Sequence, residues 1–187
     1  MTEVVLVRHA PSRPQADVPA SQWRLREGAG ESIRTLAHRL EPLELDLVMA
    51  STEPKAVATG RGLARHLALP FASAPRLHEH ERGNLPLLDE AAWQGTLRRF
   101  FRHPDVLVFG RETATEARER FRGGLRSAFE RNPGAHPAIV AHGTVMSLLV
   151  AGPSGLDPYE LWRDLQMPEA WVVRWPEMTL QRRIAVS

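Results

Sequence analysis

Two short stretches of the chain are apolar at every position, and each ends on a histidine. Val4-Val5-Leu6-Val7 runs into Arg8-His9, and Ala138-Ile139-Val140-Ala141 runs into His142-Gly143. Short apolar runs rich in β-branched residues predict buried strands. Pro11 ends the first, having no N–H to offer a ladder. A third run, 45–50, leads into Ser51-Thr52-Glu53-Pro54, a helix-start signature, and predicts a helix from Lys55 to about residue 69. Elsewhere the apolar spacing is helical. Ile33, Leu36, Ala37 and Leu40 predict one buried face over 31–40, stopped by Pro42. Trp93, Leu97, Phe100 and Phe101 predict a helix over 89–101. Thr113 and Glu116 have the spacing of a capping box, opening a helix to about Arg131 that Asn132-Pro133-Gly134 ends. Helices are also expected over 145–151, started by Thr144, and over 157–165. Segments 171–175 and 178–186 read as closing strands joined at Pro176-Glu177. Residues 10–30 are irregular, and 105–109 reads either as a strand or as a packed loop.

Strands and helices in a chain of 187 residues predict one α/β domain over 1–187. No run reaches the ~18–20 apolar residues of a membrane span, and the first residues lack a basic region followed by an apolar core. Neither a membrane partner nor a secretory signal is therefore expected. The chain has no cysteine, which excludes disulfides, a thiolate nucleophile and Cys-bound zinc, and fits a reducing cytoplasm. The formal net charge is +2, carried almost entirely by arginine, with Lys55 the sole lysine. The arginines alternate with acids, as in Glu116-Ala117-Arg118-Glu119-Arg120, the pattern of a solvated helix surface. A nucleic-acid partner would call for clustered basic residues with interleaved aromatics, so none is expected. The oligomeric state is open; the tryptophans near the carboxyl end serve either a core or an interface.

The candidate chemistry lies where the strands stop. In open α/β sheets ligands bind beyond the carboxyl ends of the strands, and two strands ending on histidine can converge there. Leu6-Val7-Arg8-His9-Ala10-x-Ser12 resembles the opening signature of the histidine phosphatase (phosphoglycerate mutase-like) superfamily, where glycine is usual in place of Ala10. Lys55-Ala56-x-x-Thr59, after Ser51, resembles its second block, with Lys55 where the family usually has arginine. Leu77-x-Glu79-x-x-x-Gly83 resembles the block whose glutamate is the general acid, which places that role on Glu79 with Glu81 as rival. Gly110-x-Glu112-Thr113-x-x-Glu116 and Val140-Ala141-His142-Gly143 complete the order. The Trp-Glu-Gly of many members is missing; Asn84-Leu85-Pro86-Leu87-Leu88 stands there.

The resemblance implies a three-layer α/β/α sandwich with a mostly parallel central sheet. It also implies a metal-independent phosphatase of small phosphomonoesters, acting through a phosphohistidine on His9. His9, Glu79 and His142 would be catalytic, and Arg8, Ser12, Lys55 and Gly143 would bind phosphate. The partner would be a small phosphorylated substrate, with no cofactor and no metal. The residue types suit this chemistry on their own terms, because phosphoryl transfer asks mainly for positioned cations and donors, and neutral imidazole is a competent nucleophile. Three other readings stand beside it. A mutase would use the same residues; Lys55 and Ala10 motivate a weak phosphoester-binding or regulatory domain; and His78 and His80, on one face if extended, form a possible metal set with a carboxylate.

Overall fold

Alternation along the first strand sets the layering. In the computed structural model, which describes residues 2–83 and 88–186, β1 (Thr2–Arg8) is buried on both faces. Successive side chains leave a strand on opposite sides. Val4 and Leu6 therefore join one apolar cluster, and Val5 and Val7 another. Each such side chain contributes about 1.5–3 kcal/mol by leaving water. β1 lies between two unlike neighbours. On one side it pairs in parallel with β4 (Pro137–Ala141), Arg8 standing opposite Ala141. On the other it pairs antiparallel with β5 (Glu169–Trp175). β2 (Leu47–Ala50), β3 (Phe71–Ser73) and β6 (Thr179–Ala185) complete the sheet in the order β3-β2-β4-β1-β5-β6. Strands β3, β2, β4 and β1 are parallel, whereas β5 and β6 form an antiparallel border.

Helices cover both faces. α1 (Ala29–Leu40) and α2 (Pro54–Leu67) pack on the Val5/Val7 side, through Ile33, Leu36, Leu40 and Leu63. α4 (Ala114–Arg131) and α5 (Gly143–Val150) pack on the other, through Phe121, Leu125, Met146 and Leu149. The expected three-layer α/β/α arrangement is therefore present. α3 (Glu90–Arg102) and α6 (Pro158–Arg163) build a smaller cluster of Leu97, Phe100, Phe101, Phe109 and Tyr159. The Thr113/Glu116 box is reciprocal, as the sequence predicts, and Asp89 and Asp157 cap α3 and α6. The other two expected helix starts shift: Glu53 stands at the N-cap of α2 without a side-chain bond, and α5 begins at Gly143 with His142, not Thr144, at its N-cap. Trp171 is wholly buried, so this tryptophan serves the core.

The structure decides one alternative that the sequence leaves open and adds one element that the sequence does not show. Residues 105–109 form a loop, with Val106 and Leu107 51% and 58% exposed and only the end of the run packed inward. β3, three residues long, is too short to show a period. Among the described residues no helix is long and apolar enough to cross a membrane.

Candidate active site

The parallel register of β1 and β4 brings the two histidines together. His9 follows β1, and its N–H donates to the Ala141 carbonyl at 3.1 Å, one residue before His142. The imidazole centroids are 5.2 Å apart, with the rings inclined by 60°. His9 Nδ1 lies 2.7 Å from the carbonyl oxygen of Ala10. A carbonyl only accepts, so Nδ1 carries the proton and Nε2 the lone pair. Burial, reinforced by His142, Lys55 and Arg8, pushes His9 well below its ordinary 6.5, so the ring is neutral at pH 7. Ala10, in the usual glycine position, is fully buried and lies outside the left-handed region, so its Cβ carries no backbone penalty. Its N–H donates to Thr59 Oγ1 at 3.0 Å, and that hydroxyl donates to the Lys55 carbonyl at 2.8 Å. The strand end is thereby tied to the first turns of α2.

His142 occupies the N-cap position of α5, wholly buried and without a side-chain capping bond. Its Nε2 is 2.7 Å from Ser51 Oγ and 3.7 Å from Glu53 Oε1, while its buried Nδ1 has no partner among the described residues. Burial again dominates, and the ring is neutral well above its lowered pKa, against the opposing pull of Glu79. Gly143 makes room for arginine: a Cβ there would stand 3.0 Å from Arg8 Nε and 3.2 Å from its Cζ. Arg8 Nη1 donates to the Leu165 carbonyl and its buried Nε is unpartnered. Burial lowers this guanidinium to about 10, which leaves it cationic at neutral pH.

Glu79 sits at the amino end of α5. Its carboxylate accepts the N–H groups of Thr144 at 3.1 Å, Val145 at 3.2 Å and His80 at 3.0 Å, and Arg82 Nη2 lies 3.7 Å away. Burial pushes the acid up, but the Arg82 guanidinium and the backbone donors of His80 and Thr144 outweigh it and hold Glu79 at about 2. Glu81, the rival, lies outside this group: its side chain is 45% exposed and meets His78 at 3.2 Å.

Two members of the site carry no signal in the motif pattern. Glu53 is buried, forms an ion pair with Lys55, and accepts the Glu79 N–H at 2.9 Å. Lys55 also donates to the Ala20 carbonyl at 2.7 Å. The lysine in the family's arginine position is thus neutralised by its neighbour two residues earlier. The only hint in the sequence is that spacing, Glu-Pro-Lys at a helix start. Arg82 is the second, its Cζ 4.4 Å from the centroid of the Trp93 ring. Ser12 is not brought into this hydrogen-bonded group; it forms an isolated bridge with Leu25.

The Gly110-x-Glu112-Thr113 block holds the Glu79 loop from behind. Glu112 Oε1 accepts the Glu81 N–H at 3.0 Å, its carbonyl meets His80 Nε2 at 2.8 Å, and the Arg111 N–H donates to the Glu81 carbonyl at 2.8 Å. Arg120, paired with Glu112, donates to the carbonyls of Arg76, His78 and Glu79. Gly110, at φ +77°, is required: a Cβ would stand 2.3 Å from the Glu81 carbonyl oxygen. His80 is buried against Phe100 and Phe109 while His78 pairs with Glu81, and among the described residues no three His, Asp or Glu side chains could hold a metal ion together. Residues 84–87, where Trp-Glu-Gly is missing, lie outside the described residues. A surface groove of about 590 Å³ between α1 and α2, bordered by Ile33, Val57, Arg61 and Arg65, is lined by neither His9 nor His142.

Comparison with known proteins shows which family the chain resembles in sequence and fold. The profile of the histidine phosphatase superfamily (branch 1) matches residues 4–176. The chain is 26% identical over 166 residues to PhoE, an uncharacterized phosphatase of Bacillus subtilis (strain 168), covering 84% of this chain and 80% of that one. Its fold is similar to that of Bacillus stearothermophilus YhfR, with TM-score 0.74, 20% identity, and coverage of 97% and 95%. It is also similar to a phosphoserine phosphatase variant from Entamoeba histolytica in complex with phosphoserine, with TM-score 0.76, 12% identity, and coverage of 100% and 98%. The chain belongs to the histidine phosphatase superfamily, branch 1.

Proposed function

We propose that the protein is a phosphatase of small phosphomonoesters that works through a phosphohistidine on His9. The observation that carries this reading is the His9 ring, neutral, with Nδ1 committed to the Ala10 carbonyl and Nε2 left with its lone pair. In the first step Nε2 attacks phosphorus and the bond from phosphorus to the ester oxygen breaks, its electron pair staying on that oxygen. The leaving oxygen takes a proton delivered through Glu79. In the second step Glu79 takes a proton from water, the water oxygen attacks phosphorus, and the P–N bond breaks, its electron pair returning to His9 Nε2; Glu79 then passes its proton to the departing inorganic phosphate and is again a carboxylate. Arg8 and the free Nδ1 of His142 supply donors to the equatorial oxygens, where charge accumulates.

The low pKa of Glu79 gives this scheme a direction in pH. Without substrate the carboxylate is ionised, so the proton for the leaving group has to arrive with the substrate monoanion. The monoanion fraction falls above the second phosphate pKa of about 6, so kcat/KM is expected to decline as pH rises from there. His9 remains neutral on the acid side of that point, which keeps the nucleophile available.

The test is release of inorganic phosphate from an aryl phosphate, with EDTA present, by wild type and His9→Ala. Turnover that survives EDTA and disappears in the variant supports the reading; turnover retained by the variant overturns it. A second reading, a weak phosphoester-binding domain, is favoured by one observation, the engagement of Lys55 by Glu53 and Ala20. A large gain in turnover on Lys55→Arg favours that second reading; no change or a loss favours Lys55 as adapted. A mutase is separated by its product, transferred rather than inorganic phosphate.

A further inference from the structure

Charge balance within the site singles out a residue that the motif pattern leaves unassigned. The charged side chains that act on His9 or His142 include Arg8, Lys55 and Arg82 as cations and Glu53 and Glu79 as anions. With both imidazoles neutral, removing Arg82 leaves the set without net positive charge. Lys55 is a poor candidate for the principal anion grip, since its ammonium already serves the Glu53 carboxylate and the Ala20 carbonyl. Lysine also offers a point charge rather than a planar fork.

Arg82 has the opposite character. Its guanidinium rests on the Trp93 ring at 4.4 Å, and the indole is itself held edge-on by Phe109 at 5.7 Å and Trp162 at 6.5 Å. Stacking uses the face of the guanidinium and leaves its in-plane N–H donors available. Among the described residues no hydrogen bond engages them. Nε is buried without a partner, and Nη2 stays 3.7 Å from Glu79 Oε2, beyond hydrogen-bonding distance. Arg8 Nε, also buried and unpartnered, is a second donor of the same kind. Arg82 lies close enough to act electrostatically on Arg8, Glu79 and His142.

We propose that Arg82, stacked on Trp93, is the phosphate-gripping arginine of this site, acting with Arg8 in place of an arginine at position 55. The inference rests on the phosphate-binding reading above but not on turnover. It assigns the Arg82-Gly83 corner a substrate contact, and it assigns Trp93 the task of holding the guanidinium in plane with the anion.

Calorimetric binding of inorganic phosphate tests it, on wild type, Arg82→Met, Arg82→Ala, Arg82→Lys and Trp93→Leu, each checked by thermal melting. Loss of a charge-assisted pair of hydrogen bonds is expected to weaken phosphate by at least about tenfold in Arg82→Met, with Arg82→Lys intermediate. Trp93→Leu, which keeps the cation and removes its platform, is expected to lose less. Millimolar free guanidinium is expected to restore part of the phosphate affinity in Arg82→Ala, which a purely structural role would not allow. Phosphate affinity unchanged in a folded Arg82→Met overturns the proposal and reduces Arg82 to a counter-ion for Glu79. If Arg82→Met does not fold, Arg82→Lys and Trp93→Leu decide, and wild-type affinity in both overturns it. A wild type that binds phosphate through Arg82 yet hydrolyses no ester contradicts the phosphatase reading alone. One that turns over with phosphate affinity independent of Arg82 contradicts this proposal alone.

Discussion

His9 and His142 reach the site by the same route and end in different chemical states. Both stand one residue beyond a buried parallel strand, at adjacent strand ends, with their rings 5.2 Å apart. What differs is the partner of the second nitrogen. For His9 it is a carbonyl, which fixes one tautomer and leaves a lone pair on Nε2. For His142 it is the Ser51 hydroxyl, which can give or take a proton, and the remaining Nδ1 is buried and free. Delivery by the fold is common to both; division of labour is set by one hydrogen bond each. On this account His9 is the nucleophile and His142 the donor to the transferring phosphoryl group.

The sharpest way to break the comparison is to replace each histidine in turn. His9→Asn is expected to cost about four orders of magnitude in kcat or more, the scale of losing a covalent nucleophile. His142→Asn is expected to cost about two to three orders, the scale of losing one transition-state donor. Steady-state rates on an aryl phosphate decide, and equal losses would deny the division of roles. A smaller change sharpens it. Ser51→Ala removes the hydroxyl on His142 Nε2 while leaving His9 untouched, and is expected to lower kcat by about tenfold with KM nearly constant. The gentlest probe is stability against pH. Both histidines have folded pKa values depressed below 6.5, so the unfolded chain binds protons there that the folded chain does not. Their contribution to stability is full above pH 6.5 and is lost as pH falls, by about 1.4 kcal/mol per histidine per pH unit. Urea midpoints between pH 7 and 5 check this, and each His→Asn variant is expected to flatten the slope by one histidine.

The sequence exposes the strand-end histidines because four unbroken apolar residues before each leave little choice of structure. The capping box of Thr113 and Glu116 is legible as well, since it is a local pair of hydrogen bonds between near neighbours. The remainder depends on contacts distant in sequence. Glu53 reaches Glu79 across 26 positions, and Ser51 reaches His142 across 91. Arg82 becomes informative only once α3 brings Trp93 over it. Val106 and Leu107 show the converse, an apolar run that looks strand-like and is left exposed because nothing packs across it. The backbone at Ala10 lies outside the left-handed region, so its Cβ carries no conformational penalty, a fact that residue identity does not reveal.

The most direct test of the account is to trap the covalent species. Protein mixed with an aryl phosphate is quenched in alkali, where phosphoramidates survive, and digested for mass spectrometry. The account predicts a phosphoryl adduct on His9 and none on His142, with the adduct lost in acid. Phosphorylation of His142, or steady turnover with no phosphoryl group on His9, would contradict it.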